Sequence, residues 1–175
     1  MTATDDRRFP TALAAALAVP FDYNSGEGID FEPFDAFLCA EDTTDWLRAW
    51  TGNDELTGDD FRVFGQNGAG GYAAFWLAGP DRPLVDQPVV FMGSEGETGV
   101  VAADLADFLW VLATGFGPFE ASTDYHFDWT PHPSPERTAV AERFAPNRRR
   151  PAEAVIEQAC QEFPDFDDIV FELCR

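Results

Sequence analysis

Two apolar segments at the centre of the chain face each other across a short glycine-rich connection. FRVFG (61–65) alternates, with Phe61, Val63 and Gly65 on one side, and YAAFWLA (72–78) is a continuous apolar and aromatic run. Both have the composition of strands. QNGAGG (66–71) between them contains Asn-Gly, whose residues tolerate positive φ and so favour a tight antiparallel reversal. A connection this short cannot carry the crossover that parallel strands need. The chain is therefore expected to build an antiparallel sheet.

The flanking residues extend that sheet. GPDRP (79–83) is a turn, PVVFMGS (88–94) a third strand, residues 95–98 a turn, and GVVA (99–102) a fourth strand. Helices are expected around it. Residues 12–18 form a short one, and residues 32–39 a second, since Phe34, Phe37 and Leu38 fall at i, i+3 and i+4. TTDWLRAWTGN (43–53) gives a third, with Thr44 as cap, Trp46, Leu47 and Trp50 on one face and Gly52 as stop. Asp104 caps a fourth that buries Leu105, Phe108, Leu109 and Leu112 and ends at Gly115. Pro151 opens a last one whose Val155, Ile156, Ala159, Cys160 and Phe163 form a stripe. The basic island Arg148, Arg149 and Arg150 before it reads as an exposed hinge paired with nearby carboxylates. The expected class is α+β, a mostly antiparallel sheet of about four or more strands flanked by helices. Residues 1–175 form one domain with an N-terminal helical extension and a C-terminal helix.

Composition makes a packed fold plausible and removes several chemistries. Of the 175 residues, 45% are hydrophobic and 14% aromatic, too apolar for a disordered chain despite a net charge of -21. All 11 basic residues are Arg. Without Lys there is no Schiff base, no P-loop lysine and no lysine general base. An excess of 32 acidic residues over 11 basic ones opposes direct binding to nucleic acid or anionic membrane and favours cationic or basic protein partners. Cys39, Cys160 and Cys174 form no C-x-x-C pair, which suits a reducing compartment and suggests neither a disulfide framework nor a closed zinc site. The apolar stretch 12–19 follows Asp5 and Asp6 and stops at Pro20, unlike a signal peptide. A cytoplasmic location is expected.

The catalytic motifs fail on inspection. Gly65 to Gly70 is followed by Gly71 and Tyr72, not Lys and Ser or Thr, so this is no P-loop; the strand after it also excludes a Rossmann turn. Ser94 has Met92 where a nucleophile elbow needs glycine. Glu95 and Glu97 could act as paired carboxylates, but flanking glycines make them read as solvated turn charges. DYHFDW (124–129), if extended, puts Asp124, His126 and Asp128 on one face and Tyr125, Phe127 and Trp129 on the other. Three alternating ligands on one strand rarely converge on a metal, and an edge strand with an aromatic inner face is the plainer reading. EFPDFDDIVFELC (162–174) reads as a short strand or helix covering the sheet, with a partner-binding segment as the alternative. No cofactor and no metal are expected.

Four segments together carry a resemblance. DWLRAWTGN, FRVFGQNGAGGYAAFWL, QPVVFMGSEGETGVVA and DLADFLWVLATGFGPFE, spanning residues 45–120, resemble in order and spacing the actinobacterial branch of the SUKH superfamily, which is related to yeast cell-wall-assembly regulators. The resemblance implies an α+β fold. It also implies a non-enzymatic immunity protein that neutralises a cognate polymorphic toxin by binding its toxin domain. No catalytic residue comes with it. The acidity of this chain suits a toxin with a basic nucleic-acid cleft, though other toxin classes stay open. Glu95, Glu97, Asp124, Tyr125 and Trp129 are the expected partner-binding residues. The alternatives are an intracellular scaffold binding several host proteins and a metal-dependent enzyme built on residues 124–128.

Overall fold

A computed structural model describes residues 6–122 and 130–175. Five antiparallel strands lie in chain order, β1 (Glu32–Pro33), β2 (Phe61–Gln66), β3 (Tyr72–Trp76), β4 (Val89–Met92) and β5 (Thr98–Ala102). Among the described residues seven helices flank this meander: α1 (Thr11–Leu17), α2 (Ala40–Thr51), α3 (Leu105–Ala113), α4 (Pro118–Ser122), α5 (Pro135–Phe144), α6 (Ala152–Glu162) and α7 (Phe166–Leu173). The class is α+β with an antiparallel sheet, as the glycine connection implied.

Both faces of the sheet are covered, which explains why β3 and β4 read as apolar runs instead of alternating. On one face Phe64, Ala73, Phe75, Val89, Phe91 and Val101 pack with Leu13 of α1, Phe108 and Leu112 of α3, and Ala141 of α5. On the other, Phe61, Val63, Ala74, Val90, Met92 and Val100 pack with Leu47 of α2 and Phe166 and Val170 of α7. Helix α6 spans the layers, with Val155 and Ile156 in the first cluster and Ala159 in the second. Its Cys160 thiol donates to the Val100 carbonyl of edge strand β5 at 3.8 Å. The N-terminal helix is integral to the core, because Leu13 and Ala16 are buried.

Three expectations are corrected. Residues 32–39 form no helix. Glu32 and Pro33 pair with Gln66 and Gly65, and the Phe34 and Leu38 N–H groups donate to the Phe64 and Val63 carbonyls at 2.9 Å. The non-helical backbone, bent at Asp35 and Ala36, sends Phe34 and Leu38 to one face of the sheet and Phe37 to the other, whereas a helix would have placed all three together. Helix α2 begins earlier than Thr44. Cys39 is its N-cap, accepting the Asp42 N–H at Sγ, and the Thr44 hydroxyl accepts instead from Gly58 N–H at 2.9 Å. Third, Gly65 does not share a side with Val63, since a bulge at Phe64 pairs Val63 with Ala74 and Gly65 with Ala73. Gly52 does end α2 in the left-handed region at φ 66°, and Asp104 caps α3 by accepting the Asp107 N–H at 2.9 Å.

Candidate functional site

The β4–β5 turn forms one wall of a surface hollow. Gly96 sits at φ 94°, Gly93 N–H donates to the Glu97 carbonyl, and the Glu95 N–H donates to the Glu97 carboxylate at 3.1 Å. The Trp50 indole N–H reaches from α2 to the Gly93 carbonyl at 2.7 Å, fixing turn and helix against each other. Opposite them, α7 buries Phe166 and Val170, one helical turn apart, into the sheet. Its C-terminal end is tied to α2 where Asn53 Nδ2 donates to the Leu173 carbonyl at 2.9 Å and Arg175 N–H to the Thr51 carbonyl at 3.0 Å.

These three elements enclose a groove of about 790 Å³. Glu95, Asp167 and Asp168 line it, no basic one of the described residues does, and Trp50 and Phe171 give it aromatic walls. Asp167 and Asp168 occupy the first turn of α7, where the helix dipole favours negative charge. Asp167 accepts the Thr98 hydroxyl at 2.6 Å, which orients one carboxylate along the wall. Phe171 is 78% exposed, an unusual position for a phenylalanine on a well-packed helix. The groove thus combines a fixed floor, a negative wall and an aromatic anchor in contact with solvent. Carboxylates beside an exposed aromatic ring are the chemistry that accommodates a positively charged group with an alkyl or aromatic neighbour.

Of the residues expected from sequence, Glu95 is exposed and lines the groove. Glu97 is half-buried, with its carboxylate folded back on the turn, so it positions Glu95 and does not itself line the wall. Asp124, Tyr125 and Trp129, with His126 and Asp128 of the candidate metal cluster, lie outside the described residues. Among the described residues no group of three His, Cys, Asp or Glu side chains is placed to hold a metal. From sequence, Trp50 reads only as part of the apolar face of its helix, and Asp167, Asp168 and Phe171 only as part of segment 162–174, for which covering the sheet is preferred to partner binding; that segment forms helix α7, which both lines the groove and covers the sheet. The signal for Phe171 was present: it falls five residues after Phe166, about 140° around the helix from it, while Val170 falls only about 40° away. The arginine island pairs with carboxylates as expected, but one of them, Asp107, is fully buried, so the segment clamps the core and is not a free hinge.

No protein-family model, curated protein or solved structure matches the chain. No helix of the described residues is long and apolar enough to cross a membrane.

Proposed function

We propose that this chain is a non-enzymatic binding protein that takes a basic partner in the groove between α2, the β4–β5 turn and α7. The observation that carries this reading is the groove lining itself: three carboxylates, no arginine among the described residues, and a phenylalanine left 78% exposed beside them. Carboxylates steer and orient a basic surface, and a central aromatic anchor supplies the buried area. Together with the resemblance of residues 45–120 to SUKH immunity proteins, this favours a cognate toxin domain as partner, held so that its own cationic cleft is occupied.

The test is co-purification of the tagged protein from its native cells at about 0.05 M and about 0.5 M NaCl, a range over which the screening length shrinks several-fold. One basic toxin domain, recovered well only at the lower salt, is the expected result. The double variant Glu95→Lys, Asp168→Lys should lose it while keeping the circular dichroism of the parent. Phe171→Ala should weaken the complex by at least about fivefold, the effect of losing about 1 kcal/mol at an interface anchor. Recovery of several unrelated host proteins would instead support a scaffold, and unchanged capture by both variants would move the partner to another face.

A further inference from the structure

A second hollow, of about 160 Å³, lies between the loop after α1 and the N-terminal turn of α5. Its chemistry is unlike the rest of this acidic chain. Arg137, on α5, is only 6% exposed and lines it, stacked with its guanidinium carbon 3.9 Å from the centre of the Phe21 ring. Nη2 donates to the Val19 and Pro20 carbonyls, both at 2.8 Å, which fixes the plane of the group. Nε is buried with no hydrogen-bond partner, and no Asp or Glu of the described residues forms an ion pair with Arg137. Burial pushes its pKa below the usual arginine value, but a guanidinium remains charged in any protein. A buried, oriented cation that feels the neighbouring Glu136 charge but has no carboxylate at ion-pair distance among the described residues is therefore built into a chain that has carboxylates to spare.

The walls narrow what would complete it. Asp22 and Glu27 line the same hollow, so a dianionic phosphate meets repulsion there, whereas a molecule carrying one carboxylate and one ammonium finds an opposite charge for each. Glycines let the walls close. A Cβ on Gly115 would come within 2.6 Å of the His132 backbone, and one on Gly28 would collide with the Asp22 carbonyl. A space of about 160 Å³ admits only a small molecule.

We infer that this hollow is a binding site for a small zwitterionic carboxylate, the chemical class of free α-amino acids. The carboxylate sits on Arg137 and the ammonium points toward Asp22 and Glu27. The site is independent of the acidic groove.

The experiment is an NMR titration of the full chain with glycine, acetate and methylammonium, following the Arg137 Nε–H and the Gly28 amide. Resonances are read instead of melting temperature because free amino acids also act as general osmolytes. A saturable shift with glycine, several-fold weaker with acetate and missing with methylammonium, is expected. Arg137→Met, which keeps the volume, should weaken glycine binding at least about tenfold. Should that variant not fold, Asp22→Asn with Glu27→Gln, both exposed at the rim, should reduce glycine to the level of acetate. No saturable shift up to about 0.1 M glycine, equal responses to glycine and acetate in the parent, or undiminished binding in Arg137→Met would each overturn the inference.

Discussion

Two buried carboxyl groups show how differently the same side-chain chemistry behaves at single positions. Asp107 is fully buried on α3 but accepts from Arg148 Nε at 3.1 Å and from Arg150 Nη2 at 2.8 Å. Its hydrogen bond is the leading cause of the raised Arg148 pKa. The two arginines keep 43% and 32% of their side chains exposed, whereas Asp107 keeps none, so the two ways of breaking the clamp are unequal. Asp107→Ala leaves cations that can turn to water and should cost about 2 kcal/mol, near the value of a charged hydrogen bond. Arg148→Ala with Arg150→Ala strands a carboxylate in the core and should cost about 3–5 kcal/mol. Urea titration of the variants reads both, and the reverse order would contradict the clamp. Glu120 lacks such partners. It is 4% exposed, and although Oε1 accepts the Asp30 N–H at 2.7 Å, Oε2 has no partner. Burial raises its pKa above the ordinary value of 4.5, with the Asp30 charge adding to the effect against partial relief from backbone N–H groups. The folded state thus holds a proton that the unfolded state releases first. Glu120 therefore destabilises the fold progressively as pH rises from the unfolded value through the raised folded one. Glu120→Gln, which keeps the carbonyl acceptor, should melt higher than the parent at pH 7 and converge with it near pH 4. A constant difference across that range would show that ionisation is not the cause.

At the level of elements, the hairpin between β2 and β3 shows what local sequence decides. Asn67 Oδ1 accepts the Gly71 N–H at 2.8 Å, the Asn67 N–H returns to the Gly71 carbonyl at 2.9 Å, and Gly70 takes φ 89°. The two glycines serve different ends. A Cβ on Gly70 would meet nothing within 4 Å, so Gly70→Ala should cost about 1–2 kcal/mol from backbone strain alone. A Cβ on Gly71 would sit 2.5 Å from the Phe91 ring and 2.9 Å from the Gly93 Cα, so Gly71→Ala should cost about 2–3 kcal/mol and disturb the neighbouring strand. Amide exchange at Phe91 separates the two, because only the second substitution should accelerate it. Elements whose cause lies within a few residues were legible: the place of this turn, the Asp104 cap, the Gly52 stop and α6 after Pro151; within the turn, however, positive φ falls at Gly70 and not at the Asn67-Gly68 pair expected to supply it. Residues 32–39 were not, since Phe34, Phe37 and Leu38 fit a helical stripe equally well and only pairing with β2, about 30 residues on, keeps them out of a helix. Helix α5 was missed for a related reason. It buries only Arg137 and Ala141 and carries little apolar periodicity, although Ser134 caps it in the usual way by accepting the Arg137 N–H at 3.2 Å. The groove depended on α7 returning to α2, a contact between residues more than 100 positions apart that no local pattern encodes. Glu95 was legible as an exposed turn carboxylate. Its aromatic neighbours were not.

Across the whole molecule, charge is distributed unevenly. Five of the 11 arginines are committed to holding the fold: Arg7 holds the Phe37 carbonyl, Arg48 the Leu56 carbonyl, Arg137 the loop after α1, and Arg148 and Arg150 the buried Asp107. Many of the 32 acidic residues stay on the surface, so the folded state confines a net charge of -21 in a small volume that the unfolded chain can relieve by expanding. Added salt screens this repulsion, and it also weakens exposed ion pairs such as Arg149 with Glu142. The two effects oppose each other, and their sizes decide the outcome. Exposed pairs contribute about 0–1 kcal/mol each, while the buried clamp is shielded from salt by its burial. Repulsion among some twenty uncompensated charges therefore dominates. Thermal stability should rise as NaCl goes from about 0.02 M to about 0.3 M, as the screening length falls from tens of ångströms to only a few. Sodium sulfate would blur the result by acting on apolar hydration, so chloride is the salt to use. A melting temperature that fell with chloride would mean that surface pairing outweighs repulsion. The acidity would then stabilise the chain through its arginines, and its value for attracting a basic partner would no longer carry a cost in stability.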